Sequence, residues 1–152
     1  MWRVFQDRGF TLVELLEVVT IAAILATLAY PSYRQTLHRA GRLEARLALQ
    51  RIQYLQERHY SEHLRYAGNL GGQPGAENAL AMPDHTESGT YLLSTSARDD
   101  GQSFIALAAA SEGSRQASDE ACQKFEVDEA GRKRSANASG NWAGEETRRC
   151  WG

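Results

Sequence analysis

Arg8-Gly9-Phe10-Thr11-Leu12-Val13-Glu14 opens directly onto an apolar run over 15–30, and the reading of this stretch decides what kind of chain follows. About 20 residues at about 1.5 Å each cover the roughly 30 Å of a hydrocarbon core, so 10–30 reads as one membrane-spanning helix. Only Glu14, Glu17 and the hydroxyls of Thr11, Thr20 and Thr27 interrupt it. A carboxylate at bilayer depth costs about 3 kcal/mol on insertion scales, so two of them call for partners or a place near the interface. Glu14, one turn from the helix start, can stay near the headgroups. The leader holds Arg3, Asp7 and Arg8, a mild basic excess that predicts an N-in, C-out orientation. A secretory signal is cut after its apolar region; here Gly9 precedes it, and cleavage there leaves the anchor attached.

The chain has 152 residues, with 17 Lys and Arg against 19 Asp and Glu, a formal charge of -2. That length supports one small core, and that charge argues against a protein whose main task is to coat nucleic acid. A mean hydropathy of -0.50 alongside so apolar an arm means that the remainder is markedly polar. Cys122 and Cys150 fit one disulfide in an exported domain, with a reduced pair of structural thiols as the alternative, and are too few for a metal cluster.

Beyond the arm, Pro31 removes an amide donor and predicts a bend or interruption, after which a helical pattern resumes. Ala40, Leu43 and Leu47 form one track and Ala45, Leu49, Ile52 and Leu55 a nearby one, an apolar stripe suited to packing on a sheet. One helix is expected from Phe10 to about Tyr60. Over 61–88, Gly68, Gly71, Gly72, Pro74, Gly75 and Pro83 predict an irregular connector, with Tyr66, Leu70 and Leu80 available to pin it to the core. Strands are expected at 90–97, 103–110, 122–128 and 132–136. Tyr91, Leu93 and Thr95 share one face of the first, Phe104, Ala106 and Ala108 one face of the second, and Phe125 and Val127 one face of the third. Asp99-Asp100-Gly101 and Glu129-Ala130-Gly131 supply the turns. A helix followed by an antiparallel sheet of about four strands is an α+β domain.

The stretch quoted first resembles the processing site of type IV prepilins, and Tyr30-Pro31-Ser32-Tyr33 resembles the proline-containing arm of pilins. The resemblance implies a leader over 1–9, cleavage after Gly9 by a prepilin peptidase, and methylation of the new amino terminus at Phe10. It implies that Glu14 aids recognition and later pairs with the terminal amine of a neighbouring subunit, a register device in a dry helix bundle. Residues 10–33 would be the membrane and assembly arm, with the helix kink at Pro31. Residues 34–152 would be the globular domain, including the 61–88 connector and a disulfide-bounded tail over 122–150. The Cys150-Trp151 ending is similar to that of PilE-like minor pilins. The implied function is a minor pilin subunit supporting adhesion, twitching motility or DNA uptake. Its implied partners are other major and minor pilins, an inner-membrane assembly platform with its ATPase, and an outer-membrane secretin. The implied location is the inner membrane, N-terminus cytoplasmic and globular domain periplasmic, then the surface filament. A type II secretion pseudopilin, and a tethered adhesin or nucleic-acid-binding module that never polymerises, remain the alternatives. Glu17 departs from the usual apolar arm.

No enzyme constellation and no cofactor site emerges. Glu44, Glu57 and Glu62 read as solvated charges, and His59 and His63 share helix-turn spacing without further ligands in the sequence. Gly71-Gly72-Gln73-Pro74-Gly75 lacks the lysine and hydroxyl of a phosphate loop. Asp119, Glu120, Asp128 and Glu129 read as wet surface rather than a calcium loop, and Asn137-Ala138-Ser139 as a common glycosylation triplet. Arg132-Lys133-Arg134 and Arg148-Arg149 would converge if the tail is stapled, and with Trp142 or Trp151 could touch DNA or, more plainly, face solvent or an acidic neighbour.

Overall fold

Thr11 caps the first helix: its Oγ1 accepts the Glu14 N–H at 3.3 Å, satisfying one of the free amides of the first turn. From there α1 runs Leu12–His63, 52 residues, and continues helical across Pro31. The structure is a computed structural model and describes residues 10–142 and 144–152; Gly9, the expected cleavage position, lies outside the described residues. Two compact units divide the chain, the first ending at Leu37 and the second spanning His38–Gly152.

The helix stops three residues later than expected. Leu64 turns into the left-handed region at φ 57 and its N–H reaches the Tyr60 carbonyl at 2.8 Å, a helix-ending conformation usually taken by glycine. Within the second unit α1 buries one face, Gly41, Ala45, Leu49, Ile52, Gln56 and His59. The two apolar tracks expected to pack together separate: Leu43 and Leu47 are 50% and 56% exposed while Leu49 is fully buried. Residues two positions apart on a helix differ by about 200°, so a helix lying on one sheet cannot bury both 45 and 43 or both 49 and 47.

The sheet is β1 (Tyr91–Arg98), β2 (Ser103–Ala110), β3 (Lys124–Asp128) and β4 (Lys133–Ala136), antiparallel throughout in the order β1-β2-β3-β4. Tyr91, Leu93 and Thr95 point inward beside Phe104, Ala106, Ala108, Phe125 and Val127, which is the alternation the sequence carries. The core lies between that face and α1, and Tyr91 meets Phe125 edge-on with ring centroids 5.7 Å apart. Around the first hairpin Asp99, Asp100 and Gly101 all take positive φ. Gly101 is required there: its carbonyl accepts the Tyr66 N–H at 2.8 Å, and an added Cβ would stand 2.8 Å from the Cβ of Arg65.

Between α1 and β1 the connector is irregular but anchored. Tyr66, Ala67, Leu70, Leu80 and Met82 are buried. Gln56, with no exposed surface, holds it from the helix: Oε1 accepts the Ala67 N–H at 2.8 Å, and Nε2 donates to the Ala67 carbonyl at 2.8 Å and to Thr95 Oγ1 at 2.9 Å. One amide thus closes what a missing strand partner would have left open. Tyr66 donates its hydroxyl to Glu57 at 3.1 Å, and burial followed by that carboxylate pushes its pKa up to about 12.

The disulfide-bounded tail, for which the sequence predicts no element, forms α2, Gly144–Trp151, with Glu145 and Glu146 in its first turn and Arg148 and Arg149 in its last, matching the helix dipole. It covers the β4 edge: Thr147 Oγ1 accepts the Ser135 N–H at 3.2 Å, and Trp151 Nε1 donates to the Arg134 carbonyl at 3.0 Å while its ring packs edge-on against Phe125. Cys122 and Cys150 are joined, Cα atoms 5.7 Å apart, fastening α2 to the residues entering β3.

Candidate assembly arm and basic end

Along the first unit every described residue from Phe10 to Thr36 is exposed, including Leu12, Val13, Leu15, Leu16, Val18, Val19, Ile21, Ile24 and Leu25, each more than half so. A continuous apolar surface of that size marks a membrane or protein contact, and α1 is long and apolar enough to cross a membrane. Three of its threonine hydroxyls are satisfied within the helix. Thr20 Oγ1 donates to the Leu16 carbonyl at 2.7 Å, Thr27 Oγ1 to Ile24 at 2.7 Å and Thr36 Oγ1 to Ser32 at 3.1 Å. The carboxylates differ: Glu14 and Glu17 make no ion pair among the described residues. Phe10, 79% exposed, immediately precedes the capping Thr11, so a chain starting at Phe10 would set its amine about one turn from Glu14.

At the other end of the chain the two basic clusters meet where α2 lies on β4, but they are unevenly neutralised. Arg132 Nε donates to Asp128 Oδ2 at 2.7 Å, and Arg134 Nε to Glu126 Oε1 at 2.9 Å. Lys133, Arg148 and Arg149 are exposed and make no ion pair among the described residues. Two tryptophans lie under the strand cations: Lys133 Nζ stands 5.2 Å from the Trp151 ring and the Arg134 guanidinium 5.4 Å from that of Trp142.

Two acids expected on a wet surface do structural work. Asp119 is 5% exposed and takes Arg42 in a fork, Nε and Nη2 each at 2.7 Å, with Gln116 Nε2 as a third donor at 2.7 Å. That hydrogen bond to Asp119 raises the Arg42 pKa above its ordinary value against the opposing effect of burial. Asp128 organises the β3–β4 turn, accepting the Ala130 and Arg132 amides at 3.1 and 2.9 Å. Glu44, expected to be merely solvated, accepts from the Ser88 amide at 2.7 Å and hydroxyl at 2.5 Å. Sequence reading missed Gln56, Gln116 and α2. Only the last left a local signal, the Glu-Glu-x-Arg-Arg polarity after Gly144.

Comparison with known proteins bears on the arm and on the globular domain as far as residue 126. The prokaryotic N-terminal methylation motif matches residues 5–30, and the family described as type IV minor pilin ComP, DNA uptake sequence receptor, matches residues 31–126. The type IV major pilin PilA of Myxococcus xanthus (strain DK1622) is 37% identical over 76 residues, 48% of this chain. The match takes in 34% of that relative's length. A solved type IV pilin from Shewanella oneidensis aligns at 20% identity with a TM-score of 0.39, over 66% of this chain and 89% of that one. A methylation motif leading into an exposed apolar helix, followed by a family match across most of the globular domain, gives one conclusion: the chain belongs to the ComP family of type IV minor pilins.

Proposed function

We propose that the chain is cut after Gly9, methylated at Phe10, held in the inner membrane with its globular domain periplasmic, and built into a surface filament that takes up DNA. The observation that supports this most is the exposed apolar arm of α1, capped by Thr11 and starting at Leu12, three residues beyond Gly9. In lipid, Glu14 has no cation on its own arm, whose first basic residue after Phe10 is Arg34. A neighbouring subunit's terminal amine would supply that cation only when the helices stack in register. The subunit acts by assembly, served by a prepilin peptidase, an inner-membrane platform with its ATPase, an outer-membrane secretin and other pilins. Intact mass of the sheared-filament fraction tests this. The expected species begins at methylated Phe10, and Glu14→Ala lowers its amount at least tenfold while leaving the membrane pool; unprocessed protein confined to the membrane would overturn the reading.

For DNA contact, the surface we assign is Lys133, Arg148 and Arg149, with the indoles of Trp142 and Trp151 beside the strand. Three cations set against duplex phosphates give a slope of log affinity against log salt of about -2.7. Arg148→Glu/Arg149→Glu is expected to weaken duplex binding more than tenfold and to flatten that slope by about 2. Unchanged affinity and slope would move the DNA contact elsewhere.

A further inference from the structure

The last turn and a half of α1 reads His59-Tyr60-Ser61-Glu62-His63, a pattern that neither membrane anchoring nor assembly uses. Four residues apart, the two imidazoles share a helix face and stack, ring centroids 4.2 Å apart and planes at 19°. Each ring is oriented through Nδ1, His59 at 2.9 Å from the Arg65 carbonyl and His63 at 3.2 Å from the His59 carbonyl. A carbonyl can only accept, so each Nδ1 carries a proton, and in the neutral imidazole Nε2 then holds the lone pair. Fixing Nδ1–H on a backbone oxygen is how proteins orient an imidazole that ligates metal through Nε2.

His59 is 7% exposed, and its Nε2 is buried without a hydrogen-bond partner. A buried acceptor left without a partner is unfavourable, and a ligand bound there would relieve that cost. A cleft of about 240 Å³ opens at this point between the helix and the connector, walled by Arg58, His59, Glu62, His63, Pro74 and Gly75. The end of α1 contributes the negative pole of the helix dipole, which favours a cation.

We propose that His59 and His63 form a binding site for a divalent transition metal of the zinc or copper class, with the two Nε2 atoms as ligands. Nearly parallel rings send their lone pairs side by side, so binding turns the half-buried His63 ring toward the fixed His59. The remaining positions go to water, while the Glu62 carboxylate accepts from Arg58 Nε at 3.1 Å on the surface. No group of three metal-ligating side chains is assembled among the described residues. The site is therefore a two-histidine chelate with open positions, and Cu²⁺ should bind more tightly than Zn²⁺.

The experiment uses the untagged full chain in detergent, stripped with chelator and titrated calorimetrically with CuCl2 and with ZnCl2. Electron paramagnetic resonance of the Cu²⁺ form counts the ligating nitrogens. Expected are one saturable site, two imidazole nitrogens on Cu²⁺, and a loss of at least tenfold in affinity with one nitrogen remaining in His63→Ala. That variant changes the more exposed ring and spares buried His59. His38→Ala and His85→Ala should bind as the unaltered chain does. Absence of saturable binding of both ions, or binding unchanged in His63→Ala, would overturn the proposal.

Discussion

Cys122→Ala/Cys150→Ala is expected to cost the globular domain about 3 to 4 kcal/mol, the largest loss any pair of substitutions here should produce. The bond joins residues 28 apart in sequence, and closing a loop of that length removes chain entropy from the unfolded state worth about 3.6 kcal/mol. Packing adds to this, since Cys122 is fully buried and Cys150 is 2% exposed. What the bond holds is specific. An eight-residue helix is too short to persist alone in water, so α2 depends on its attachments, among them the disulfide, Thr147 on the Ser135 amide, Trp151 on Phe125 and the Arg134 carbonyl, and Arg46 on the Trp151 carbonyl. Without the disulfide, α2 should fray from β4 before the sheet melts, exposing that edge and scattering Arg148 and Arg149. Urea denaturation of the detergent-solubilised chain should show a lower midpoint, and hydrogen exchange should show the 144–151 amides opening first. Reducing the unaltered protein should reproduce the stability loss, because both routes release the same unfolded chain. A double variant within 1 kcal/mol of the unaltered protein would mean that packing alone holds the tail.

How much of this was legible beforehand follows from which interactions are local. The arm, the hairpins and the inward faces of β1, β2 and β3 are patterns of period 3.6 or 2 set by neighbouring residues, and the structure has them within two residues of where the sequence puts them. The choice between the Leu43 and Leu49 tracks was not local. Both are apolar, and only the position of the sheet decides which is covered. Gln56 reads as one more polar residue on a helix until Ala67 and Thr95 come within reach. Asp119 reads as one acid in an acidic stretch because its partner Arg42 is 77 residues away. The tail helix went unassigned for the opposite reason. Its Asn, Ser, Gly and Trp content over 137–144 is that of a loop, and the helix starts only where that content ends. For the basic end, sequence brought the two clusters together but gave no means of telling that Arg132 and Arg134 answer to Asp128 and Glu126.

Asp119→Ala should cost about 3 kcal/mol, as much as the disulfide variant to within its range, from a single side chain. Asp119 is 4% exposed at its side chain and Arg42 19%, so the pair sits mostly out of water. Removing one member of a buried pair costs about 3–5 kcal/mol because the other charge stays behind unpaired; the partial exposure of Arg42 lets water relieve some of that and places the loss at the lower end. Gln116 loses as well. Its Nε2 would lose its 2.7 Å bond to the carboxylate and keep the longer 3.4 Å contact with the His38 carbonyl, while its Oε1 is already unpartnered beside Gly41, where an added Cβ would run into it. The side chain is thus confined on one side by the glycine and on the other by the carboxylate. The control is Arg42→Met/Asp119→Leu, which removes both charges and keeps apolar bulk. If the cost lies in an orphaned guanidinium, the double variant should recover about 2 kcal/mol relative to the sum of its single changes, read as non-additivity in a double-mutant cycle. Additive losses would place the cost in packing around Gln116 instead. Recovery would establish that this pair clamps α1 at Arg42 to the segment preceding Cys122, so that Asp119 fastens this segment to α1 and the disulfide, three residues on, fastens it to α2.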